Sequence, residues 1–377
     1  MRLHGEAARS LPTPALSERT PVRDRGAKAP RRGLLHRLLR LLSAVGLAVL
    51  VTGCGEQSQE PELRLTGSGA SFPFPIYSTW FKTYSREHPG VIVDYQAKGS
   101  GAGIRDFING TVDFAASDAA MTAEEMTAVD AGVQLLPLTA GQIVLAYNLP
   151  GAPALRLPRD VYPLLFMGRI ERWDDPRIQA ANPGVALPDM PITLVRRADS
   201  SGTTFAFTRH LEAVSKAWAE THGSGKTVVW AGGERMIAAP KNDGVAATIR
   251  QTPGALGYVE YAYASFAGLR MASLENASGR FVAPGTESGI AALRDSMPPQ
   301  DMRIWLTDPA QPEAYPIITY TWLLLYRDYE DKAVASQLRD LISYCLDEGQ
   351  AVAAQLGYIP LPDSVIVAVR QALGNVG

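Results

Sequence analysis

The sequence has few of the residues on which disulfide frameworks and metal sites depend. Its 377 residues include two cysteines, Cys54 and Cys345, and five histidines. A framework of paired cysteines is therefore excluded, and no group of Cys, His and Asp has the spacing of a metal site. Cys345 lies in "LRDLISYCLDEG", which has a helical pattern, and is predicted to be a small buried residue. We expect no metal and no cofactor.

Sequence motifs of catalysis are also missing. No serine stands in a G-x-S-x-G pattern, and His88, His210 and His222 lie in dissimilar polar contexts. Gly99-Ser100-Gly101 follows a predicted strand, as in a dinucleotide-binding turn, but Ile104 stands where that motif needs Gly or Ala. The sequence thus predicts a binding protein and not an enzyme.

Residues 1–53 are predicted to be a secretion leader. Basic residues precede the apolar run "LLHRLLRLLSAVGLAVLVTGC", which stops at small residues and Cys54. The alternative is a membrane-spanning anchor, but Arg37 and Arg40 interrupt the run and leave it short for a full span. Residues 54–61 are polar and are predicted to be a tether.

The end of the leader resembles a lipid-attachment motif. Val51-Thr52-Gly53-Cys54 is similar to the lipobox of bacterial lipoproteins, in which cleavage leaves a lipidated cysteine as the first residue. This resemblance implies that the mature chain lies in the periplasm or cell envelope, held to a membrane through Cys54.

Positive charge is scarce outside the leader. Without residues 1–53 the chain has 26 basic and 35 acidic residues, a formal net charge of −9. Such a surface argues against nucleic acid as a partner and gives no long-range attraction for an anion. Any anion site must therefore work through local dipoles and hydrogen bonds.

Several turns from a strand into a helix carry hydroxyl groups. "TGSGASFPFPIYSTW" turns at Ser71, and "YQAKGSGAGIRDF" turns at Ser100. A third helix begins near Ser201 in "RRADSSGTTFAFTRHL" and is predicted to continue to about His222, while "VDFAASDAAM" ends a strand at Asp118. Simple helix capping is the alternative for each position. The unpaired N–H groups and positive dipole at helix N-termini bind anions, and the convergence of several such turns indicates an anion site.

Five segments together resemble a known family. They are "GSGASFPFPIYSTW", "YQAKGSGAGIRDFINGTVDFAASDAAM", "VRRADSSGTTFAFTRHL", "KNDGVAATIRQTPGALGYVEYAYA" and "LPDSVIVAVRQAL". They look like the periplasmic phosphate-binding protein of the bacterial phosphate-specific ABC transporter. The resemblance implies an α/β, two-lobed periplasmic-binding-protein fold with a hinge and a ligand cleft. It also implies that inorganic phosphate binds in the cleft and passes to the transmembrane subunits of an ABC permease.

The resemblance also implies which residues bind phosphate. Carried over by motif, they are Ser71, Phe72 through its backbone N–H, Ser100, Asp118, Arg197, Ser201, Gly202 and Thr203, with Asp199 orienting Arg197. Two positions depart from the family pattern. Ser71 replaces a common Thr and keeps the hydroxyl, whereas Ser200 replaces a common Gly, which tolerates positive φ better than Ser does.

The lobes are predicted from two extended segments that suit buried strands, "TAGQIVLAYNLPG" and "EAYPIITYTWLLLY". We place lobe I at residues 62–144 and 315–377 and lobe II at residues 145–314. The chain is expected to act as a monomer.

Asp118 would discriminate between anions. Phosphate keeps at least one proton at neutral pH, and a carboxylate can accept it as a hydrogen bond, whereas sulfate would place acceptor against acceptor. The alternative is that Asp118 caps the following helix.

Two other functions remain open from the sequence. A phosphate-sensing or adhesive surface lipoprotein would share the site without needing a permease. A phosphatase would need a nucleophile activated by a base or metal.

The lipobox resemblance leads to a prediction about location. Cys54→Ala should abolish lipid attachment, because the thiol is the attachment point, and should release a soluble or unprocessed form from the membrane fraction. Fatty-acid incorporation measured with a radiolabel checks this, and unchanged incorporation in the variant would contradict it.

Overall fold

The described part of the chain, residues 63–151, 154–231 and 233–377 of a computed structural model, alternates strands and helices. The strands are β1 (Leu63–Gly69), β2 (Val91–Ala97), β3 (Phe114–Ser117), β4 (Val133–Asn148), β5 (Arg156–Leu157), β6 (Thr193–Arg197), β7 (Met236–Ala239), β8 (Ala255–Glu260), β9 (Arg270–Met271), β10 (Ser273–Glu275), β11 (Phe281–Val282) and β12 (Ile318–Tyr326). The α-helices are α1 (Phe74–Glu87), α2 (Ser100–Ile108), α3 (Ala123–Thr127), α4 (Tyr162–Phe166), α5 (Pro176–Ala181), α6 (Gly202–Val214), α7 (Lys216–Thr221), α8 (Lys241–Gln251), α9 (Tyr261–Phe266), α10 (Thr286–Leu293), α11 (Lys332–Leu346) and α12 (Asp363–Leu373). Short 3-10 helices cover Gly233–Arg235, Glu348–Val352 and Ala354–Leu356.

Most strands belong to one mixed sheet. Its order is β2-β1-β3-β12-β4-β8-β6-β7, with β9 also paired to β4, and a small second sheet has the order β11-β10-β5. Strand β1 is parallel to β2 and β3, and β6 is parallel to β7 and β8. Strands β12 and β4 are antiparallel to their neighbours between these two groups. The predicted α/β class is confirmed.

The two central strands are β4 and β12, which are buried over almost their whole length, as the sequence predicts for these segments. Residues 133–142 of β4 pair with β12, and residues 143–148 pair with β8. The pairing partner therefore changes close to the predicted lobe boundary between residues 144 and 145. The described residues all fall in one compact unit, so the lobe boundaries stay a prediction.

The strand registers decide where the strand ends meet. At the carboxyl end of β3, Ser117 pairs with Trp322 of β12, which in turn pairs with Pro137 of β4. At the carboxyl end of β8, Glu260 pairs with Ile143 of β4. Because β3 and β8 run in opposite directions, the carboxyl ends of the two parallel groups face each other across the middle of β4. Ligands of open α/β sheets bind at such ends.

The helix predicted to run from Ser201 to about His222 is in fact two helices. It breaks at Ser215, whose backbone is extended (φ −137°, ψ 106°) and whose hydroxyl accepts from the N–H of Trp218. Serine competes for backbone N–H groups in this way and so favours helix ends over helix interiors. The prediction of one continuous helix is therefore wrong, although Leu211 and Trp218 are both buried, as the apolar spacing indicates.

Cys345 is fully buried in α11, which confirms the prediction for this residue. The leader, Cys54 and the tether lie outside the described residues. Among the described residues, no helix combines the length and apolar character needed to cross a membrane.

Candidate anion-binding site

The turn after β1 contains Ser71 and Phe72, and two tyrosine hydroxyls hold it in place by donating to the carbonyl groups of these residues. The hydroxyl of Tyr263 donates to the Ser71 carbonyl at 2.6 Å, and that of Tyr358 donates to the Phe72 carbonyl at 2.6 Å. Helix α1 begins only at Phe74, so Ser71 stands before the helix and does not cap it. Within the described residues the N–H of Phe72 makes no hydrogen bond. That N–H is thus available to a ligand.

Ser100 is the first residue of α2 and joins two of the predicted groups. Its Oγ accepts from the N–H of Asp118 at 3.3 Å and from the N–H of Gly202 at 3.1 Å. Position 202 requires glycine because its backbone lies so close to Ser100 and Asp118. A Cβ there would lie 2.5 Å from Ser100 Oγ and 2.7 Å from Asp118 Cβ. The turn after β2 therefore lies directly against the N-terminus of α6.

Arg197, the last residue of β6, is buried at 4% exposure and held in a fixed direction. Its Nε and Nη2 donate to the two carboxylate oxygens of Asp199 at 2.9 and 2.5 Å, and its Nη1 donates to Thr203 Oγ1 at 3.2 Å. Burial opposes ionisation of Asp199, but the hydrogen bonds and charge of Arg197 outweigh it and lower the pKa of Asp199. A guanidinium has five N–H groups, and two of those of Arg197 have no partner in the part of the chain that the structure describes, which leaves them for a ligand.

The N-terminus of α6 supplies further donors. Ser201 caps the helix, accepting from the N–H of Thr204 at 3.0 Å, so the capping expected of such a serine is present. The N–H of Thr203, also in the first turn, has no partner within the described residues. Position 200 does not require glycine, because Ser200 is not among the described residues with a positive φ.

Asp118 is buried among hydrogen-bond donors at the carboxyl end of β3 and is 1% exposed. Its Oδ1 accepts from the hydroxyl of Thr321 at 2.9 Å, and its Oδ2 lies 3.5 Å from Thr203 Oγ1. Burial raises the pKa of Asp118 to about 7, against the opposing hydrogen bond of Thr321 and the charge of Arg197. The helix-cap alternative is wrong, since α3 begins at residue 123 and Thr122 caps it.

Three hydroxyl groups of the site share one bonding pattern. A hydroxyl has two lone pairs and one hydrogen. Ser100 Oγ accepts from two backbone N–H groups. Ser71 Oγ accepts from the backbone N–H and the side-chain Nδ2 of Asn242, at 3.2 and 3.1 Å. Thr203 Oγ1 accepts from Arg197 and, at 3.3 Å, from Asn242 Nδ2. The lone pairs of each hydroxyl are therefore occupied and each can act only as a donor, with the Thr203 hydroxyl directed toward Asp118 Oδ2 at 3.5 Å.

All the predicted ligand residues lie together at this place, and so does Asp199. The sequence reasoning did not assign Asn242, Thr321, Tyr263 and Tyr358 to the site, although Asn242 and Tyr263 lie within one of the segments that carry the family resemblance. Asn242 follows the strand–proline sequence "MIAAPKN" and could have been found as one more polar residue at a strand-to-helix turn. Thr321 lies within a strand predicted to be buried, where nothing in the sequence distinguishes it from a residue of the core.

The chain is similar to named proteins over most of its length. The model of the PBP superfamily domain matches residues 55–348. The chain is 39% identical over 312 residues to the phosphate-binding protein PstS of Pasteurella multocida, covering 81% of this chain and 88% of that protein. It is 34% identical over 360 residues to the phosphate-binding protein PstS of Methanocaldococcus jannaschii, covering 88% and 92%.

Solved structures share the fold. A high-affinity periplasmic phosphate-binding protein with bound phosphate matches at a TM-score of 0.69 and 24% identity, covering 82% of this chain and 93% of that chain. An ABC-type phosphate transport receptor from Vibrio cholerae matches at a TM-score of 0.52 and 20% identity, covering 79% and 100%. At these identities the likeness shows the fold alone, and it is the periplasmic-binding-protein fold that the resemblance implied.

The buried carboxyl of Asp118 leads to a prediction about stability. Its pKa is 3.8 in the unfolded reference and about 7 in the fold. The folded state therefore binds more protons than the unfolded state between these values, and the free energy of unfolding should fall as pH rises from about 4 to about 7. Asp118 alone contributes a slope of at most about 1.4 kcal/mol per pH unit.

Urea unfolding of phosphate-free protein across this pH range measures the effect. Asp118→Asn should be less pH-dependent than the parent protein, with the two profiles parallel above about pH 7. As a control, Asp94→Asn removes an exposed carboxylate that pairs with Arg64 and should leave the profile unchanged. Parallel profiles for Asp118→Asn and the parent throughout would contradict the assignment.

Proposed function

This chain belongs to the PstS family of phosphate-binding proteins, within the PBP superfamily, and we propose that it binds one inorganic phosphate in the cleft formed by the predicted ligand residues. They are Ser71, Phe72, Ser100, Asp118, Arg197, Ser201, Gly202 and Thr203, with Asp199 orienting Arg197. The bound phosphate is delivered to an ABC-type permease for import. The chain acts as a solute-binding protein and not as an enzyme.

The observation that carries this proposal is the balance of donors and acceptors in the cleft. The hydroxyls of Ser71, Ser100 and Thr203 have their lone pairs occupied and can only donate. Arg197 adds two free N–H groups and a positive charge. Asp118 supplies an acceptor beside these donors. A tetrahedral oxyanion that still carries a proton satisfies this set, because its bare oxygens accept and its protonated oxygen donates.

Contacts across the cleft support a closed state that phosphate would favour. With the predicted lobe boundaries, Ser100 and Gly101 belong to lobe I, and Ser200 and Gly202 belong to lobe II. The N–H of Gly202 donates to Ser100 Oγ at 3.1 Å, and the N–H of Gly101 donates to the Ser200 carbonyl at 3.0 Å. A ligand held from both lobes stabilises the closed state by its differential affinity. A permease can recognise that state.

The location and the partners follow from the leader and the family. The mature chain works in the periplasm as a monomer, anchored to a membrane through lipid on Cys54. Its protein partners are the transmembrane subunits of the permease. The tether of residues 54–61 lets the globular part move between free phosphate and the permease while it stays anchored.

Two adjacent arginines test the proposed site. Arg197→Ala should weaken phosphate binding at least about hundredfold, because a buried, hydrogen-bonded charge is lost. Arg196→Ala should change the affinity less than about threefold, since Arg196 is only partly buried and donates to the carbonyl of Arg197. Calorimetric titration with phosphate measures both affinities, and equal losses would mean that the wrong face of β6 was chosen.

Asp118 tests the basis of anion selectivity. Asn is nearly isosteric, removes the negative charge and adds N–H donors, so Asp118→Asn should relieve the penalty on sulfate while it removes the acceptor for the proton of phosphate. Sites that leave a buried group unpaired with the wrong ligand discriminate by about 10⁴. The ratio of phosphate to sulfate affinity should therefore fall at least about tenfold in the variant.

Titrations with both anions at the same pH values give this ratio. Asp94→Asn again serves as the matched control and should keep the ratio of the parent protein. If Asp118→Asn keeps that ratio as well, discrimination must come from elsewhere in the cleft.

A further inference from the structure

Asn242 lies at a further strand-to-helix turn that points into the cleft. Strand β7 is parallel to β6, so its carboxyl end lies on the same edge of the sheet as Arg197. Asn242 is the second residue of α8 and is fully buried. The preceding Lys241 has φ +57°, which is unfavourable for a residue with a side chain, and its N–H is held by Asp199 Oδ1 at 3.0 Å. The backbone is thus constrained where it presents Asn242.

The side chain of Asn242 connects three separate elements. Its Nδ2 donates to Ser71 Oγ at 3.1 Å and to Thr203 Oγ1 at 3.3 Å, and its Oδ1 accepts from the N–H of Glu260 at 3.1 Å. The Glu260 N–H can only donate, so the oxygen of the amide must face β8 and the two hydrogens must face the cleft. The orientation of the amide is therefore fixed by the backbone of the sheet.

These bonds decide what the two hydroxyls can do. Asn242 provides both donors that occupy the lone pairs of Ser71 Oγ, and one of the two that occupy those of Thr203 Oγ1. Without the donors of Asn242, each hydroxyl would have an unoccupied lone pair and could rotate its hydrogen away from the ligand toward other acceptors. Asn242 does not cap α8, because Pro240 stands at the cap and no side chain caps this helix. Its amide group has no role within its own helix.

We propose that Asn242 is a positioning residue of the phosphate site, whose amide forces the Ser71 and Thr203 hydroxyls to donate to the bound anion. This inference rests on the proposed function. With the predicted lobe boundaries, Ser71 lies in lobe I and Asn242 in lobe II, so the same amide also joins the lobes around the ligand. Its anchor at Glu260 lies where β8 meets the middle of β4.

An aspartate at position 242 would turn the Ser71 and Thr203 hydroxyls away from donating to the ligand. It keeps an oxygen for the Glu260 N–H, but it replaces the NH₂ group by an acceptor. The Ser71 and Thr203 hydroxyls would then donate to the new carboxylate and present lone pairs to the ligand, and the added negative charge would repel the ligand. An alanine would remove the two side-chain donors and the acceptor of the Glu260 N–H, but it would add no acceptor and no charge and would leave the backbone N–H bond to Ser71 Oγ. Aspartate should therefore harm binding more than alanine.

The test is calorimetric titration with inorganic phosphate of the parent protein and three variants. Asn242→Asp should weaken binding at least about hundredfold, and Asn242→Ala about tenfold. The control is Asn276→Asp, because Asn276 is an equally buried amide whose partners, the carbonyls of Pro312 and Ala314 and the N–H groups of Ser278 and Arg280, lie outside the cleft. It should lower the unfolding midpoint in urea and change the phosphate affinity less than about threefold.

A double-mutant cycle separates positioning from general destabilisation. If Asn242 acts through the Ser71 hydroxyl, Asn242→Ala should weaken binding at least about threefold less in a Ser71→Ala background than in the parent protein. Equal factors in the two backgrounds would overturn the inference. So would equal affinities of Asn242→Asp and Asn242→Ala, and so would a loss of affinity in Asn276→Asp as large as in Asn242→Asp.

Titration of the parent protein separates failure of the positioning role of Asn242 from failure of the proposed function. Phosphate binding by the parent together with unchanged Asn242 variants rejects the positioning role and leaves the proposed function standing. No phosphate binding by the parent rejects the proposed function and the inference with it. If Asn242→Asp fails to fold, Asn242→Ala and its cycle with Ser71→Ala decide the question.

Discussion

The site depends on the saturation of hydroxyl lone pairs by N–H groups. Ser71, Ser100 and Thr203 each accept two hydrogen bonds within the protein, so each hydroxyl can act only as a donor, and that of Thr203 is directed toward Asp118. A serine in water is both donor and acceptor, so its residue type alone does not select an anion. Here the surrounding N–H groups remove the acceptor role. The fold thus turns ordinary hydroxyls into a set of donors without using additional positive charge.

That arrangement explains how a chain whose residues 54–377 carry a formal net charge of −9 can hold an anion. Among residues that the structure describes, Arg197 brings the guanidinium that contacts the site, and it is paired with Asp199, so the pair adds little net charge. Asp118 lies among donors with its pKa raised mainly by burial. Under the proposed function, selection depends on whether the ligand offers a proton to that carboxyl, which is a question of hydrogen bonding more than of charge.

The sheet supplies the geometry for this bonding. Two groups of parallel strands run in opposite directions on either side of β12 and β4, and their carboxyl ends converge at the middle of β4. Each turn can be short, because the sheet already brings the strand ends together. Close approach explains the glycine at position 202, where a Cβ would overlap Ser100 and Asp118. Under the proposed function, the backbone groups that join the predicted lobes therefore lie beside those that would contact the ligand.

The α/β class, the buried central strands and the family can be predicted from the sequence alone, because periodicity, turn residues and motif order are local properties. Through the resemblance the sequence also indicated the residues that lie together at the candidate site. The hydrogen-bond partners of those residues are visible only in the folded structure. It showed that Ser215 divides a helix that the apolar spacing joins, and that Asp118 does not cap α3. It brought Thr321 and Asn242 to the site from distant parts of the chain. Whether a hydroxyl or an amide donates or accepts, and which way it points, is fixed by its hydrogen-bond partners. Strand pairing across the whole sheet determines which partners are close enough.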